Sequence, residues 1–284
     1  MPAHKPHRLT VEPLIRAALL EDLAHGSDLT TDAIVPYELQ TTARIGARAP
    51  GVIAGLDAAL LAFELLEPGS VHADIHVHDG ESVKRGAVVA DLRGPAHVLL
   101  TGERTMLNLL SRLSGIATAT HALVQAVAGT RAHVVDTRKT TPGLRILEKY
   151  AVRCGGGSNH RFGLDDAVLI KDNHLALAGS VHAAVERVRA HAGHMVKIEV
   201  EVDTLDQLRE ALAEPIDAVL LDNMEPAILR EAVRIAGGKV LTEASGGIRP
   251  ETIAAVASAG VDLISVGWLT HGAPALDLGL DIAL

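Results

Sequence analysis

Aromatic residues are nearly absent from this chain. Phe, Trp and Tyr supply 2% of its 284 residues, so Ala, Leu, Val and Ile must pack the core, and ring stacking is excluded as the main mode of ligand capture. There is one cysteine, Cys154, which excludes an internal disulfide and a metal centre of several thiolates. Positive charge is also short: 26 Lys and Arg against 35 Asp and Glu give a net −9. An acidic chain without basic tracts is a poor nucleic-acid binder, because that affinity comes from neutralising phosphates. No apolar run reaches membrane-spanning length, since Asp57 and Glu64 interrupt the longest. Residues Met1 to Leu14 lack the apolar centre of a secretion signal. A cytoplasmic enzyme that meets neither nucleic acid nor membrane fits these absences.

What the chain does have is apolar material, 48% of it, enough for a full core and against disorder. Its first part reads as a helix over 10–23, strand-like segments at 42–49, 52–54, 73–77 and 88–92, and a helix over 58–66. His72, Asp74, His76 and His78 alternate with Ala73, Ile75 and Val77, the period of a half-buried antiparallel strand, so an exposed strand face is preferred to a histidine metal site. A helical pattern runs from Ala96 to Ala128, with a break expected at Ser114-Gly115. From Ala132 onward a short apolar run is followed by a helical segment six times over, at 133–136, 167–170, 197–202, 218–222, 239–243 and 262–266. Thr204 and Gln207 form a capping box, and Pro226 and Pro250 suit early helical positions. Strands alternating with helices imply a parallel sheet, either open and doubly wound or an incomplete barrel.

The strand ends favour the barrel. The first run ends in Asp136-Thr137-Arg138-Lys139, the second in Lys171-Asp172-Asn173-His174, and the third puts Glu199, Glu201 and Asp203 on one face. The fourth ends in Asp222-Asn223, the fifth in Glu243-Ala244-Ser245-Gly246-Gly247, the sixth in Val266-Gly267. Polar groups at the C-terminal end of every strand are the layout of a barrel with a rim active site; an open sheet concentrates its site at one switch point. Three acids on one interior face repel one another and need cations, a metal or hydroxyl donors. Ser245-Gly246-Gly247 followed by a helix starting near Pro250 suits a phosphate, with Gly267 and His271 closing that pocket. Residues 136–174 carry seven Lys and Arg against five Asp and Glu, net +2, which leaves −11 for the rest of the chain. Gathering cations at one rim of an acidic protein suits a multiply anionic small molecule. Cys154 reads as a buried structural thiol, since no base is placed beside it.

Together these motifs resemble the quinolinate phosphoribosyltransferase family. The resemblance rests on Asp136-Thr137-Arg138-Lys139-Thr140, Asn159-His160-Arg161, Lys171-Asp172-Asn173-His174, Glu199-Val200-Glu201-Val202, Leu221-Asp222-Asn223 and Glu243-Ala244-Ser245-Gly246-Gly247-Ile248. It also includes Glu21-Asp22, Asp28-Leu29-Thr30-Thr31, Glu103-Arg104-Thr105-Met106-Leu107-Asn108 and Ser114-Gly115-Ile116-Ala117-Thr118. It implies an N-terminal α/β sandwich, residues 1–114, and an open, seven-strand-like α/β barrel, residues 115–284, with a C-terminal tail that returns to the N-terminal domain. It implies transfer of phosphoribosyl from 5-phosphoribosyl 1-pyrophosphate to quinolinate with decarboxylation, Mg²⁺ accompanying the diphosphate. It implies a homodimer with shared active sites, or a larger assembly of such dimers. On this reading Arg104, Arg138, His160, Arg161 and Lys171 take up quinolinate, with Arg104 reaching the partner's pocket, and Thr137 is a further substrate-binding residue. Lys139 and Lys171 meet the pyrophosphate. Glu201 and Asp222 hold the ribose hydroxyls directly or through Mg²⁺. Ser245, Gly246, Gly247, Val266, Gly267 and His271 hold the 5′-phosphate. Lys139, Lys171, Glu201 and Asp222 are the catalytic set.

Three competing readings remain at this level. A relative acting on a monocarboxylate such as nicotinate would need fewer cations. Asp79-Gly80-Glu81-Ser82-Val83 with Gly86 resembles a biotinyl-type turn, but the expected modifiable lysine between small or Met residues is absent. A phosphosugar sensor would not need acids at Glu201 and Asp222.

Overall fold

The structure, a computed structural model, describes residues 3–24 and 26–282. In chain order the elements are α1 (Arg8–Leu23), α2 (Leu29–Ile34), β1 (Gln40–Ala47), β2 (Gly51–Val52), α3 (Leu56–Leu66), β3 (His72–Ile75), β4 (Ser82–Val83), β5 (Val88–Pro95) and α4 (Ala96–Ala126). They continue with β6 (His133–Val135), α5 (Arg145–Cys154), β7 (Val168–Ile170), α6 (Asp172–Ala178), α7 (Val181–His191), β8 (Ile198–Val202), α8 (Leu205–Ala211) and β9 (Ala218–Asp222). The last are α9 (Pro226–Ala236), β10 (Leu241–Ser245), α10 (Ile253–Ala257), β11 (Leu263–Ser265), α11 (Trp268–His271) and β12 (Leu278–Ile282).

The chain divides into two compact units. The first contains the described residues up to His121, with Thr140–Gly156 and those from Leu269 onward; the second contains Ala122–Lys139 and Gly157–Trp268. The first unit is built on an antiparallel sheet in the order β12-β1-β5-β3. The C-terminal strand pairs with β1 from Ala43↔Ile282 to Ala47↔Leu278. Helix α1 buries Val11, Ile15 and Leu19, spaced four residues apart and therefore on one face. Asp28 caps α2 by accepting from the Thr31 N–H and hydroxyl.

The second unit is a parallel sheet of six strands in the order β6-β11-β10-β9-β8-β7. Strand neighbours follow chain order except that β6 pairs with β11, leaving β6 and β7 as the open ends. This is the incomplete barrel expected. Side chains alternate between its faces. Val200, Val202, Val219, Leu221, Ala244 and Ile264 are fully buried on the face the helices cover. Glu199, Glu201, Leu220, Asp222, Glu243 and Ser245 occupy the alternate positions.

Three expectations change. The helix break at Ser114-Gly115 is absent: α4 runs unbroken for 31 residues. Gly115 is there for close approach, since a Cβ at that position would overlap the Pro274 carbonyl. The helix expected from Pro250 begins only at Ile253, and Pro250 lies in the preceding turn. Finally, six parallel strands are present among the described residues rather than seven. The open edge of β6 instead carries a stub: Ser158 bridges Val135 in parallel, its N–H donating to the Val134 carbonyl at 2.9 Å and its carbonyl accepting from the Asp136 N–H at 3.2 Å. A single residue cannot show a strand's hydrophobic period, which is why no pattern betrays it.

Gly115→Ala tests the close approach. Alanine ordinarily stabilises a helix over glycine by ~1 kcal/mol, but here overpacking should dominate and lower stability by about 1–3 kcal/mol. Urea unfolding that finds the variant more stable than the parent would show that Pro274 yields without cost.

Candidate functional site

The C-terminal ends of the parallel strands bring two acids and a lysine together. Glu201 near the end of β8 is half-buried, and Lys171, directly after β7, places its Nζ 3.6 Å from Glu201 Oε2. Lys171 is held at the start of α6 by its N–H, which donates to His174 Nδ1 at 2.9 Å. Burial pushes the Glu201 carboxyl above its ordinary value; Lys171 opposes this, and the charges of Asp222 and Asp172 add to it. Asp222 closes β9 and accepts from the Asn223 amide at 2.6 Å. A buried Glu201 raised further by the charge of Asp222 belongs to a set of hard oxygen donors at the strand ends. A divalent cation such as Mg²⁺ fits that set.

The neighbouring strand ends offer an anion cradle. Ser245 ends β10 opposite Asp222. Gly246 follows at φ +95°, and a Cβ there would overlap the Asn223 amide, so both conformation and space demand glycine. Gly247 also has positive φ and nothing around its missing side chain. At the end of β11, a Cβ on Gly267 would lie 2.8 Å from Lys139 Cδ, so this glycine makes room for the lysine stem. The Lys139 loop is folded by Thr137, whose hydroxyl accepts from the Lys139 N–H at 3.0 Å. Val266, between the strand and Gly267, is buried, and its N–H is committed to the Val135 carbonyl at 3.0 Å.

The third group is cationic. Arg138 and Arg161 are both half-buried, and the Arg138 Nε is buried without a partner. Burial and then the Arg138 charge hold the Arg161 guanidinium below its ordinary pKa. Arg161 spends one hydrogen bond on the Ala167 carbonyl at 2.9 Å. Beneath them sits Asp136, fully buried, accepting from the His160 N–H at 2.9 Å and the Asn159 side-chain amide at 2.5 Å. His160 Nε2 lies 3.1 Å from Glu199 Oε2 and 3.6 Å from Glu243 Oε2. His160, Arg161, Glu199 and Glu243 border a cavity of about 880 Å³. That cavity is also lined by Arg131, Lys197, Asp217, Lys239 and Asp262, which stand where strands begin, so it lies at the opposite end of the strands from Lys171 and Asp222.

Two expected site residues belong to the first unit. Arg104 is exposed on α4 and borders a cavity of about 700 Å³ shared with Glu21, Asp22, Asn108, Arg112 and Thr141. His271 is exposed at the end of α11. Cys154 is buried and unbonded, and burial pushes its thiol up to about 12, so it is no nucleophile. His72 and His76 lie on the exposed face of the antiparallel sheet, paired with Asp74 and Asp91.

Comparison with known proteins is decisive at this point. Residues 28–114 and 116–281 match the family models "Quinolinate phosphoribosyl transferase, N-terminal domain" and "C-terminal domain" respectively. The chain belongs to the quinolinate phosphoribosyltransferase family. It is 46% identical over 278 residues to the probable nicotinate-nucleotide pyrophosphorylase (carboxylating) of Bacillus subtilis, covering 98% of this chain and 95% of that protein. It is 49% identical over 274 residues to the nicotinate-nucleotide pyrophosphorylase (carboxylating) of Mycobacterium leprae, covering 94% and 95%. The structure of the nicotinate-nucleotide pyrophosphorylase from Francisella tularensis superposes with a TM-score of 0.94 at 40% identity, covering 100% of this chain and 99% of that one.

Within this quinolinate phosphoribosyltransferase, sequence reasoning left three residues without a role in the site. Asp136 was quoted only as the first letter of a motif, yet it organises the Asn159-His160-Arg161 segment. Glu199 and Glu243 were weighed as members of acidic strands, and they turn out to be the floor beneath His160. The available signal was their period: Glu199 lies two residues before Glu201, and Glu243 two before Ser245, on the same face one step deeper.

Burial, and then the Glu199 charge, raise the Glu243 carboxyl from its ordinary 4.5 to about 8. The folded state therefore binds a proton that the unfolded state releases. Its contribution to stability is complete below pH 4.5 and is lost as pH rises through about 8. Glu243→Gln has no such proton to lose. Urea midpoints of the parent should accordingly fall more than those of the variant between about pH 4.5 and pH 8. Parallel declines for the two proteins would mean that Glu243 is ionised in the native state.

Proposed function

We propose that this chain transfers the phosphoribosyl group of 5-phosphoribosyl 1-pyrophosphate to quinolinate and decarboxylates the product, giving nicotinate mononucleotide, carbon dioxide and pyrophosphate for NAD biosynthesis. One observation carries the reading beyond family membership. Burial and the nearby Arg138 charge hold the Arg161 guanidinium below its ordinary pKa, and a buried Arg138 Nε waits for an acceptor. A pair of guanidiniums held against their own repulsion suits a dianion better than a monoanion. Quinolinate, with two adjacent carboxylates, therefore fits better than nicotinate.

The chemistry follows from the rim. The quinolinate ring nitrogen attacks C1 of the ribose as the bond to pyrophosphate breaks, and positive charge develops on the sugar. Glu201 and Asp222 face that charge and favour it. Lys139 and Lys171 suit the departing pyrophosphate, and the cradle of Ser245, Gly246, Gly247 and Gly267 suits the 5′-phosphate. Glu201 and Asp222 are the residues that would hold Mg²⁺, which when bound neutralises charge on the diphosphate. Once ribosylated, the ring nitrogen is positive. The bond to the adjacent carboxylate breaks with its electron pair drawn toward the pyridinium, carbon dioxide leaves, and a proton takes its place on the carbon. The protein needs no further cofactor for this step.

We also place the reaction in the cytoplasm, in a homodimer where Arg104 of one subunit completes the partner's pocket. No helix among the described residues is long and apolar enough to cross a membrane. Support for the dimer is an exposed arginine on α4, outside the parallel unit that supplies every other proposed quinolinate ligand.

Carbon dioxide release from quinolinate, dependent on the phosphoribosyl donor, tests the reaction; turnover of nicotinate but not quinolinate would overturn it. Arg161→Ala should weaken quinolinate binding by about 2–5 kcal/mol, the scale for truncating one side of a buried charge pair. The donor should bind nearly as before, and calorimetry with unchanged quinolinate affinity would remove Arg161 from the site.

Arg104→Ala and Lys171→Ala should each be nearly inactive alone. In a mixed dimer one site loses both residues and the other keeps both. With random exchange about half the dimers are mixed, so activity should return to roughly a quarter of the parent's. No recovery, with exchange confirmed independently, would rule out an arginine acting across the dimer.

A further inference from the structure

His160 belongs to the cationic group by sequence, yet its ring is occupied from both sides. Nδ1 accepts a 2.7 Å hydrogen bond from the Arg161 backbone N–H. A neutral imidazole has one donor and one acceptor nitrogen, so if Nδ1 accepts, the proton is on Nε2. Nε2 points at Glu199 Oε2, 3.1 Å away, with Glu243 Oε2 at 3.6 Å. Both carboxylates are buried, and each keeps its Oε1 without a partner.

The same three side chains are the one group of three or more His, Cys, Asp or Glu among the described residues whose ligand atoms lie within 4.8 Å of one another. The tautomer argues against a metal. A metal on Nε2 would need that nitrogen's lone pair while Nδ1 also accepts, leaving the ring with no proton at all. The donor direction, from ring to carboxylate, accounts for the geometry without an ion.

We propose that Glu199 and Glu243 are positioning residues for the quinolinate subsite: they hold His160 in its Nε2–H tautomer, so that Nδ1 fixes the Arg161 backbone and with it the guanidinium that meets the substrate. This rests on the function proposed above for Arg161. The chain of contacts is short. Glu199 fixes the ring, the ring fixes the Arg161 N–H, the Ala167 carbonyl fixes the Arg161 Nη1, and Asp136 fixes the His160 N–H. Arg161 is thereby tied at both ends before any ligand arrives, which limits the ordering that binding must supply. The pair acts through His160 and touches no substrate.

The test has two readouts. In protein labelled with ¹⁵N-histidine, the His160 resonances, assigned with His160→Asn, should report the Nε2–H tautomer in the ligand-free parent and a tautomer mixture in Glu199→Ala. In steady-state kinetics Glu199→Ala should raise the KM for quinolinate by roughly 5- to 100-fold, the range for a buried donor left unpaired. The KM for the phosphoribosyl donor should stay within about two-fold, because Glu199 acts on His160 rather than on the phosphate cradle. Glu199→Gln keeps an acceptor oxygen and should recover most of the loss; Glu243→Gln, which keeps volume, serves as the second variant if the alanine protein does not fold. An Nδ1–H or doubly protonated ring in the parent overturns the proposal, as does a normal quinolinate KM in Glu199→Ala. A shift of the His160 resonances on adding Zn²⁺ to the parent would replace it with a metal site. A parent inactive on quinolinate would sink the proposed function alone, since the tautomer is read without substrate.

Discussion

Parallel barrels ordinarily fill their interiors with branched apolar side chains. Here the alternate positions of β8 and β10 carry Glu199 and Glu243, and the end of β6 leads into Asp136, all of them buried. An unpaired buried carboxylate costs several kcal/mol, so each must find a donor or keep a proton. Asp136 takes two donors from the Asn159-His160 segment, Glu199 takes the His160 ring, and burial shifts Glu243 toward its protonated form. The cationic rim stands on that arrangement. The 158–161 segment leans on it, because only one of its residues, Ser158, makes a strand-like bridge to β6.

The open side of the sheet gives those acids their partners. A closed six-stranded barrel would put β7 beside β6 and leave no place for Ser158-Asn159-His160-Arg161. Leaving β6 unpaired on one edge lets this segment lie along it, with hydrogen bonds at Val134 and Asp136. The three glycines that precede it, Gly155 to Gly157, bring the chain there with little bulk. Gly155 packs so closely on the Ala117 carbonyl that a Cβ would overlap it. The gap in the barrel is thus the location of Arg161 rather than a defect in closure.

Much of this was legible in the sequence because the relevant periods are long enough to see. Six apolar runs, each ending in polar residues, gave the parallel unit and its rim, and five of the six observed strands lie within one residue of the expected runs or inside them. The exception is β10, which extends through Ser245 and so includes residues the pattern left to the following loop. The misreadings share a cause. Gly115 and Pro250 were judged by local propensity, whereas Gly115 is set by the distant Pro274 and Pro250 by a turn that delays α10 to Ile253. The roles of Asp136, Glu199 and Glu243 depend on which side chains meet across the sheet, and no one-dimensional pattern carries that. His160 shows the limit most plainly. Its neighbours in the chain suggest a cation, while its neighbours in space make it a neutral link.

That difference bears on how the site stays poised when empty. Two guanidiniums side by side would spread apart in water. Arg161 is depressed by burial and by Arg138, but Asp166 and Glu199 pull the other way. A charged His160 would be a third cation against the same two. A neutral His160 leaves the negative charge of Glu199 acting on Arg161, and the ring itself transmits position instead of charge. The interior acid therefore supplies two things at once, a fixed tautomer below and a counter-charge for the arginine above. Substituting a positive residue for His160, which a tally of cations around a dianion would favour, would neutralise Glu199 and loosen the backbone hold on Arg161. The histidine is the residue that can connect a buried carboxylate to Arg161 without adding charge to either.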